Sequence, residues 1–342
     1  MGVSLKDIAE RAGVSLATVS NVVNGYRPVG ERTRQRVQQA IDELGYTPNL
    51  SARHLRRGRT GLIALAIPEL TNPYFAELAE IAIREAGRLG YTLVMENTAS
   101  AYEAEMSLLS GAQRHVIDGL IFSPVRVGRD EVLARASDTP LVLIGEEVYD
   151  APYDHIAIDN VAASRLAVRH LVALGRRRIA FIGARVDDDR QAAHLRLRGY
   201  REALAEAGLP FRPELVAVTA QFGRRDGVRA MRDLLALDEP PDAVFGYNDL
   251  IAIGALRAVT EAGRAVPADV AVVGIDDIEE GRFGTPSLTT IAPAKEEIAR
   301  LAVHRLVARI EGTAVAGPLT LQTPFRLIER ESTVGAADGA VR

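Results

Sequence analysis

Residues 5–24 read LKDIAERAGVSLATVSNVVN. The stretch has the pattern of two short helices joined by a tight turn. Ile8, Ala9 and Ala12 fall on one face of the first helix, and Gly13 supplies a turn where a residue without Cβ is least strained. Ser15 is a good N-cap for the second helix, and Val19, Val22 and Val23 give that helix its apolar face. Leu16, Ala17, Thr18, Ser20 and Asn21 are left pointing outward on a surface that buries nothing in its own domain. Such a pair is a helix-turn-helix, whose second helix lies in a DNA major groove with its first turns against base edges. The alternative is a small helical hairpin with no ligand.

The next forty residues weigh against that alternative. Tyr26 to Gly30 reads as a loop with Pro28 fixing the turn. A third helix follows from Glu31 to about Leu44, with Val37, Ala40, Ile41 and Leu44 as its stripe and Gly45 as its left-handed cap. Three helices in this span make a plausible minimal core. TPNLSARHLRRGRTG, residues 47–61, contains a short helix opened by Pro48, on which Ala52 and Leu55 share a face among four arginines. It is too short to be stable alone in water. It reads either as a flexible basic linker or as a segment that folds only when DNA and a second subunit hold it. Residues 1–60 contain ten Lys/Arg against five Asp/Glu, so of the chain's 41 and 45 the rest carries 31 and 40. A basic head on an acidic body suits a head that meets phosphates.

The 342 residues exceed one ordinary domain, and 47% hydrophobic with 25% charged residues is an ordinary globular composition. No apolar run approaches the length that crosses a bilayer, and the N-terminus has no apolar signal core. The chain contains no cysteine, which excludes disulfides, thiolate metal sites and cysteine nucleophiles and fits a cytoplasmic location. From residue 61 to 330, apolar runs such as GLIALAIP, GLIFSP, PLVLIG, RIAFIGA and VAVVGIDD alternate with helical stretches such as 73–90 and 161–175. This predicts parallel sheets covered on both faces, in two doubly wound lobes, with a ligand between them beyond the strand ends.

VSLKDIAERAGVSLATVSNVVNG, followed by TRQRVQQAIDELGYTPNLSARHLRRGRT, resembles the head of the LacI/GalR family of bacterial transcription regulators. The likeness continues through IPELTNPYFAEL (67–78), VIDGLIFSP (116–124), LRLRGYREALAEAGL (195–209), PDAVFGYNDLIAIGALRAV (241–259), VPADVAVVGIDD (266–277) and TPSLTTI (285–291). It implies an α/β chain: a three-helix helix-turn-helix head (1–47), a hinge helix and linker (48–60), and a two-lobed periplasmic-binding-protein-like effector and dimerisation domain (61–330). Lobe 1 is expected at about 61–160 and 292–319, and lobe 2 at about 161–291 and 320–330. The crossings fall near 158–162, 288–293 and 318–322, and a tail covers 331–342. By similarity, Leu16, Ala17 and Asn21 hold the main base-reading positions, with Thr18, Ser20 and Arg27 nearby, and Leu55 matches a position that wedges into the minor groove. Ser4, Ser15, Asn24 and Ala52 complete the expected DNA-binding set.

For the effector, Tyr74, Phe75, Arg196, Phe222, Asn248 and Asp276 stand near the expected strand ends. Carboxylate and amide groups match vicinal hydroxyls, a guanidinium donates in a fixed fork, and a ring covers an apolar sugar face. The resemblance implies effector contacts for Arg196, Phe222 and Asp276, and for Asn248 in some members. Asp249, at the start of a helix, reads as a cap. Gly145-Glu146-Glu147 departs from the family pattern, where Asp or Arg is common, and leaves the effector's identity open. No phosphate loop, dinucleotide fingerprint, HExxH or nucleophile elbow occurs, the six histidines have no metal-ligand spacing, and Asp276-Asp277 should point apart, so no enzyme, cofactor or metal is expected. The expected protein is a cytoplasmic homodimeric repressor, bound to near-palindromic double-stranded DNA and released by a small molecule, read from Asp276, Arg196 and Phe222 as a six-carbon sugar or a disaccharide. The alternatives are a purine- or sugar-dependent corepressed regulator, or a sugar-binding or sugar-modifying protein with an incidental basic head. No membrane partner is expected.

Overall fold

A computed structural model describes residues 3–24, 28–45, 58–111, 116–145, 151–185 and 192–335. The chain divides into two compact units, Met1–Gly61 and Leu62–Arg342. The first contains α1 (Leu5–Ala12), α2 (Leu16–Asn24) and α3 (Glu31–Leu44). Ile8, Val19 and Val37 are fully buried where the three helices meet, with Ala9, Ala12 and Ala40 filling the gaps. Gly13 at φ 61° and Gly45 at φ 64° close α1 and α3 in the left-handed conformation. The expected hinge segment, 48–57, lies outside the described residues.

The second unit has two six-stranded sheets. In chain order its elements are β1 (Leu62–Ile67), α4 (Pro73–Arg88), β2 (Thr92–Asn97), α5 (Tyr102–Leu109), β3 (Gly119–Phe122), α6 (Arg129–Leu133), β4 (Leu141–Ile144), β5 (Asp154–Ala157), α7 (Asn160–Ala173), β6 (Ile179–Ala184) and α8 (Ala192–Glu206). There follow β7 (Val216–Val218), α9 (Arg224–Leu235), β8 (Ala243–Gly246), α10 (Asp249–Glu261), β9 (Ala271–Ile275), α11 (Glu279–Phe283), β10 (Thr289–Pro293), α12 (Lys295–Glu311), β11 (Thr320–Gln322), β12 (Phe325–Ile328) and α13 (Glu331–Val334). Lobe 1 has strand order β11-β5-β4-β3-β1-β2 and lobe 2 has β12-β10-β9-β8-β6-β7. Every pair is parallel except β10 with β12. Along β1, Ile63, Leu65 and Ile67 join one apolar cluster while Ala64 and Ala66 join another. Burial on both faces explains why these strands read as continuous apolar runs.

Four short strands were not legible as apolar runs: β5, β10, β11 and β12. Two of the expected boundaries are corrected with them. Thr320–Gln322 pairs with β5 in the lobe 1 sheet, so the last crossing falls at 323–324, not 318–322. The first residues of the expected tail fold as α13, held where Ser332 Oγ donates to Val272 O at 2.6 Å and accepts from Thr289 N at 2.8 Å. In lobe 2, α9 and α10 touch backbone to backbone. A Cβ on Gly227 would stand 2.2 Å from Ile251 O, and one on Gly254 2.1 Å from Arg224 O.

Asp249 ties the cleft side of lobe 2 together. It is fully buried; its Oδ1 accepts from Thr290 Oγ1 at 2.7 Å and its Oδ2 from Ile278 N at 3.0 Å. Burial pushes its carboxyl up to about 6 from 3.8, against the opposing pull of those two hydrogen bonds. Between pH 4 and 6 the folded protein therefore keeps a proton that the unfolded chain has released, and this contribution to stability is lost as pH rises through that window. Asp249→Asn can keep the bond to Ile278 N while its amide donates to Thr290 Oγ1, whose hydrogen turns to Ile291 O, 3.3 Å away. Urea unfolding should show the variant gaining about 1–3 kcal/mol on the parent between pH 4 and 6. A difference that stays constant with pH would mean that Asp249 titrates normally.

Candidate functional site

In the head, Ser4 caps α1. Its hydroxyl accepts from Asp7 N at 3.4 Å, and its own N–H donates to Asp7 Oδ2 at 2.7 Å. Donation to Asp7 Oδ2 from the Ser4 N–H, and from the Ser4 hydroxyl at 2.8 Å, holds the Asp7 carboxyl below its usual range. Ser15 caps α2 in the same way, accepting from Thr18 N at 3.1 Å. Both serines thus set the helix ends. From α3, Arg36 donates to the carbonyls of Ala12 and Gly13, and Glu43 pairs with Arg11, so the turn between α1 and α2 is braced from below. Leu16 is 52% exposed, Ala17 is exposed, and Thr18, Ser20 and Asn21 are half-buried along the same helix. The side chain of Asn24, together with Arg27, Ala52 and Leu55, lies outside the described residues.

In the larger unit, strand order reverses between β1 and β3 in lobe 1 and between β6 and β8 in lobe 2. Ligands in open parallel sheets sit beyond the carboxyl ends at such switch points. A cavity of about 100 Å³ lies there, lined by Asn72, Tyr74 and Phe75 after β1, Ser123 after β3 and Gly145 after β4. From lobe 2 come Arg196, Tyr247, Asn248 and Asp276, with Ile144, Ile156, Ile158, Pro293 and Ile298 as the apolar remainder. A larger groove, about 270 Å³, runs between β7 and α9, at a sheet edge away from both switch points.

Each polar wall is fixed by its own element. Asn72 caps α4, accepting from Tyr74 N at 3.1 Å ahead of Pro73 at N1, and Tyr74 meets Phe75 edge to face at 5.1 Å. Arg196 Nε donates to Asn160 Oδ1 at 2.7 Å, Nη1 donates to Tyr247 O, and the guanidinium lies 4.4 Å from the Tyr247 ring centre. His155 Nε2 donates to Gly145 O, which places that glycine, at φ 91°, against the cavity.

Asp276 follows β9 with φ 123°, and Asp277 has φ 50°. Such conformations cost a non-glycine residue on the order of 1–3 kcal/mol and persist where surrounding bonds over-determine them. The two carboxylates diverge. Asp276 lines the cavity, while Asp277 accepts from Arg330 at 2.5 Å and Arg282 at 2.7 Å. Burial alone would raise the Asp277 carboxyl, but those arginine bonds outweigh it and hold the group below its ordinary range.

The cavity therefore brings together Tyr74, Phe75, Arg196, Asn248 and Asp276, and leaves Phe222 one layer behind. The Phe222 ring stacks on Tyr247 at 3.9 Å and 20°, with Arg185 5.7 Å from its outer face. Tyr247, between Gly246 and Asn248, is the aromatic surface that reaches the cavity. Sequence reading passed over Tyr247, Asn72, Ser123 and Asn160. Only Asn72 had a local signal, a cap residue before proline at a strand end. Asn248, not Asp249, caps α10: its Oδ1 accepts from Ile251 N at 2.9 Å and its Nδ2 donates to Phe222 O at 3.1 Å. Among the described residues, no group of three His, Asp or Glu side chains can hold a metal ion.

Residues 4–49 match the family model of bacterial regulatory proteins, lacI family, and residues 168–333 match a periplasmic binding protein-like domain. The chain is 37% identical over 331 residues to the ribose operon repressor of Escherichia coli strain K12, spanning 96% of this chain and 99% of that protein. The chain belongs to the lacI family. This lacI-family regulator is also 35% identical over 342 residues to the repressor PurR of Erwinia tasmaniensis, across 99% and 98% of the two chains. Among solved structures it is similar to the lac repressor dimer bound to operator and an anti-inducer, with TM-score 0.77, 30% identity and coverage of 97% and 99%.

Because Asn248 spends both polar atoms inside lobe 2, its loss should register without any ligand. Asn248→Ala should destabilise the protein by about 1–2 kcal/mol in urea unfolding, the value of a cap and a buried hydrogen bond. An unchanged midpoint would mean that the cap is dispensable.

Proposed function

We propose that this protein is a transcriptional repressor that binds a near-palindromic operator as a homodimer and leaves it when a small sugar enters the interlobe cavity. The head supports the first part. A braced recognition helix presents Leu16, Ala17 and Asn21, and one such helix covers too few base pairs for a unique site, which paired half-sites remedy. The similar lac repressor is a dimer on operator DNA, which supports the same assembly here. The reading is of a regulator and not an enzyme, and it places the protein in the cytoplasm. No helix among the described residues is long and apolar enough to cross a membrane.

The observation that carries the effector assignment is the cavity's composition. One carboxylate (Asp276) and one guanidinium (Arg196) stand among neutral amides and a hydroxyl, Asn72, Asn248 and Ser123, with Tyr247, Tyr74 and Phe75 supplying aromatic surface. A neutral polyhydroxyl compound matches that set, because each hydroxyl both donates and accepts. Similarity to a ribose operon repressor points to a pentose. A purine is the second reading, supported by similarity to PurR and by the ring of Tyr247 on the wall.

Two variants test the two halves separately. Leu16 and Ala17 offer only apolar contact, so Asn21 carries the main polar reading of bases. Asn21→Ala should cost about 1–3 kcal/mol of operator affinity and broaden a selected-site logo at one position per half-site. An unchanged logo removes Asn21 from the reading set. Asp276→Ala should bind operator as the parent does yet no longer respond to the effector found by calorimetric screening of pentoses, hexoses and purine bases. A normal response by that variant would end the cavity assignment.

A further inference from the structure

The turn that carries Asp276 is held from both lobes. Within lobe 2, besides the bonds from Arg330 and Arg282 to the Asp277 carboxylate, three bonds hold the turn's backbone: Asp276 N donates to Ile291 O at 2.9 Å, Asp277 N to Thr290 Oγ1 at 3.3 Å and Ile278 N to Asp249 Oδ2 at 3.0 Å. Lobe 1 supplies the rest. Lys295 Nζ, at the start of α12, donates to Asp277 O at 3.0 Å, and Glu77 Oε1, on α4, accepts from Glu279 N at 3.3 Å. Lys295 and Glu77 are themselves paired, and the lysine side chain is only 11% exposed. Both contacts from lobe 1 go to backbone atoms. They depend on where the turn is and not on which side chains it carries.

We propose that Glu77 and Lys295 form an interlobe latch that makes the geometry of Asp276 conditional on lobe closure. This rests on the reading of Asp276 as an effector contact. Glu279 is the first residue of α11, so its N–H has no partner within the helix, and a carboxylate there is favourably placed. When the lobes part, Glu77 and Lys295 withdraw with α4 and α12. The Asp277 carbonyl and the Glu279 N–H then lose these partners, and the turn that contains the positive-φ pair 276–277 loses one tie within the pair and one just beyond it. Separation therefore loosens the residue that binds the effector, while effector binding favours the latched arrangement. The same two side chains set the ratio of closed to open protein before any effector arrives, and with it how much a ligand can shift the head.

The 342-residue chain contains no cysteine, so spin labels at Glu69→Cys and Arg224→Cys, both exposed and beyond strand ends of opposite lobes, report interlobe distance once labelled chains are diluted with unlabelled ones. In ligand-free protein, Lys295→Met should shift the distance distribution toward longer values, lowering the closed-to-open ratio about tenfold, as expected for loss of charge-assisted bonds. Glu77→Gln, a milder change at a half-exposed position, should shift it in the same direction, and the double variant should go no further than Lys295→Met alone. Arg84→Met is the control. Arg84 pairs with Glu296 at 3.1 Å between the same two helices but wholly within lobe 1. Unchanged distances in both latch variants, or an equal shift in the control, would overturn the latch. Added D-ribose should shorten the parent's distances and be bound about tenfold more weakly by Lys295→Met. If the parent ignores D-ribose, the pentose reading fails while the ligand-free distances still decide the latch.

Discussion

The cleft side of lobe 2 depends on a buried carboxylate that does not line the cavity. Asp249 lies beneath the junction of α10, β9, α11 and β10, and its two oxygens are both spent on neighbours, Thr290 and Ile278. Desolvating a carboxylate is expensive, and the raised pKa of Asp249 records that cost. In exchange, the strand ends of lobe 2 hold one arrangement. Gly274 confirms how tight that arrangement is: a Cβ there would fall 2.2 Å from Asp249 Oδ1. The positive-φ turn at Asp276 and Asp277 rests on this tie through Ile278 N, beside the bonds that hold it from Arg330, Arg282 and β10.

The cavity wall follows the same logic of fixing side chains before a ligand arrives. Arg185, Phe222, Tyr247 and Arg196 form a continuous stack, two rings between two guanidinium groups. Arg196 is tied at Nε by Asn160 and at Nη1 by the Tyr247 carbonyl, so little rotamer freedom remains for binding to remove. Phe222 contributes to this rigidity from the second row, which a position-by-position comparison with relatives does not distinguish from direct contact.

Much of the architecture was readable because it is written in local signals. Gly13 and Gly45 end helices, Ser15 begins one, and the valines and alanines of the head repeat at helical spacing. The central strands β1, β3, β4, β6, β8 and β9 were readable because burial on both faces makes them apolar throughout. The parts that were missed have no such mark. Asp154–Ala157, Thr289–Pro293 and Thr320–Gln322 are short and rich in polar residues, and they become strands only by pairing with partners far away in the chain. Of Asn248 and Asp249, either can cap a helix. The choice falls to Asn248 because Thr290 and Ile278, remote in sequence, claim the aspartate. Tyr247 and Asn160 likewise acquire their roles from Arg196, which approaches from a different helix.

The strand order of lobe 1 also bears on how the molecule is made. Its outer strand β11 is synthesised about 160 residues after β5, yet it pairs directly with it. Asp154, on β5, is fully buried and accepts from Arg305, Arg309 and the N–H of Leu319. Those arginine bonds overcome the effect of burial and keep its carboxyl below the ordinary range. During translation, however, residues 62–157 leave the ribosome with this carboxylate unpaired and the edge of β5 bare, while the whole of lobe 2 is still to come. The head can close its small core from the first 45 residues, but lobe 1 cannot be completed until about residue 322 has emerged. An effector-binding unit built this way is born out of its apparent order: its first lobe is finished by β11, made after most of lobe 2, and a chain interrupted between the two leaves the head with no complete body to regulate it.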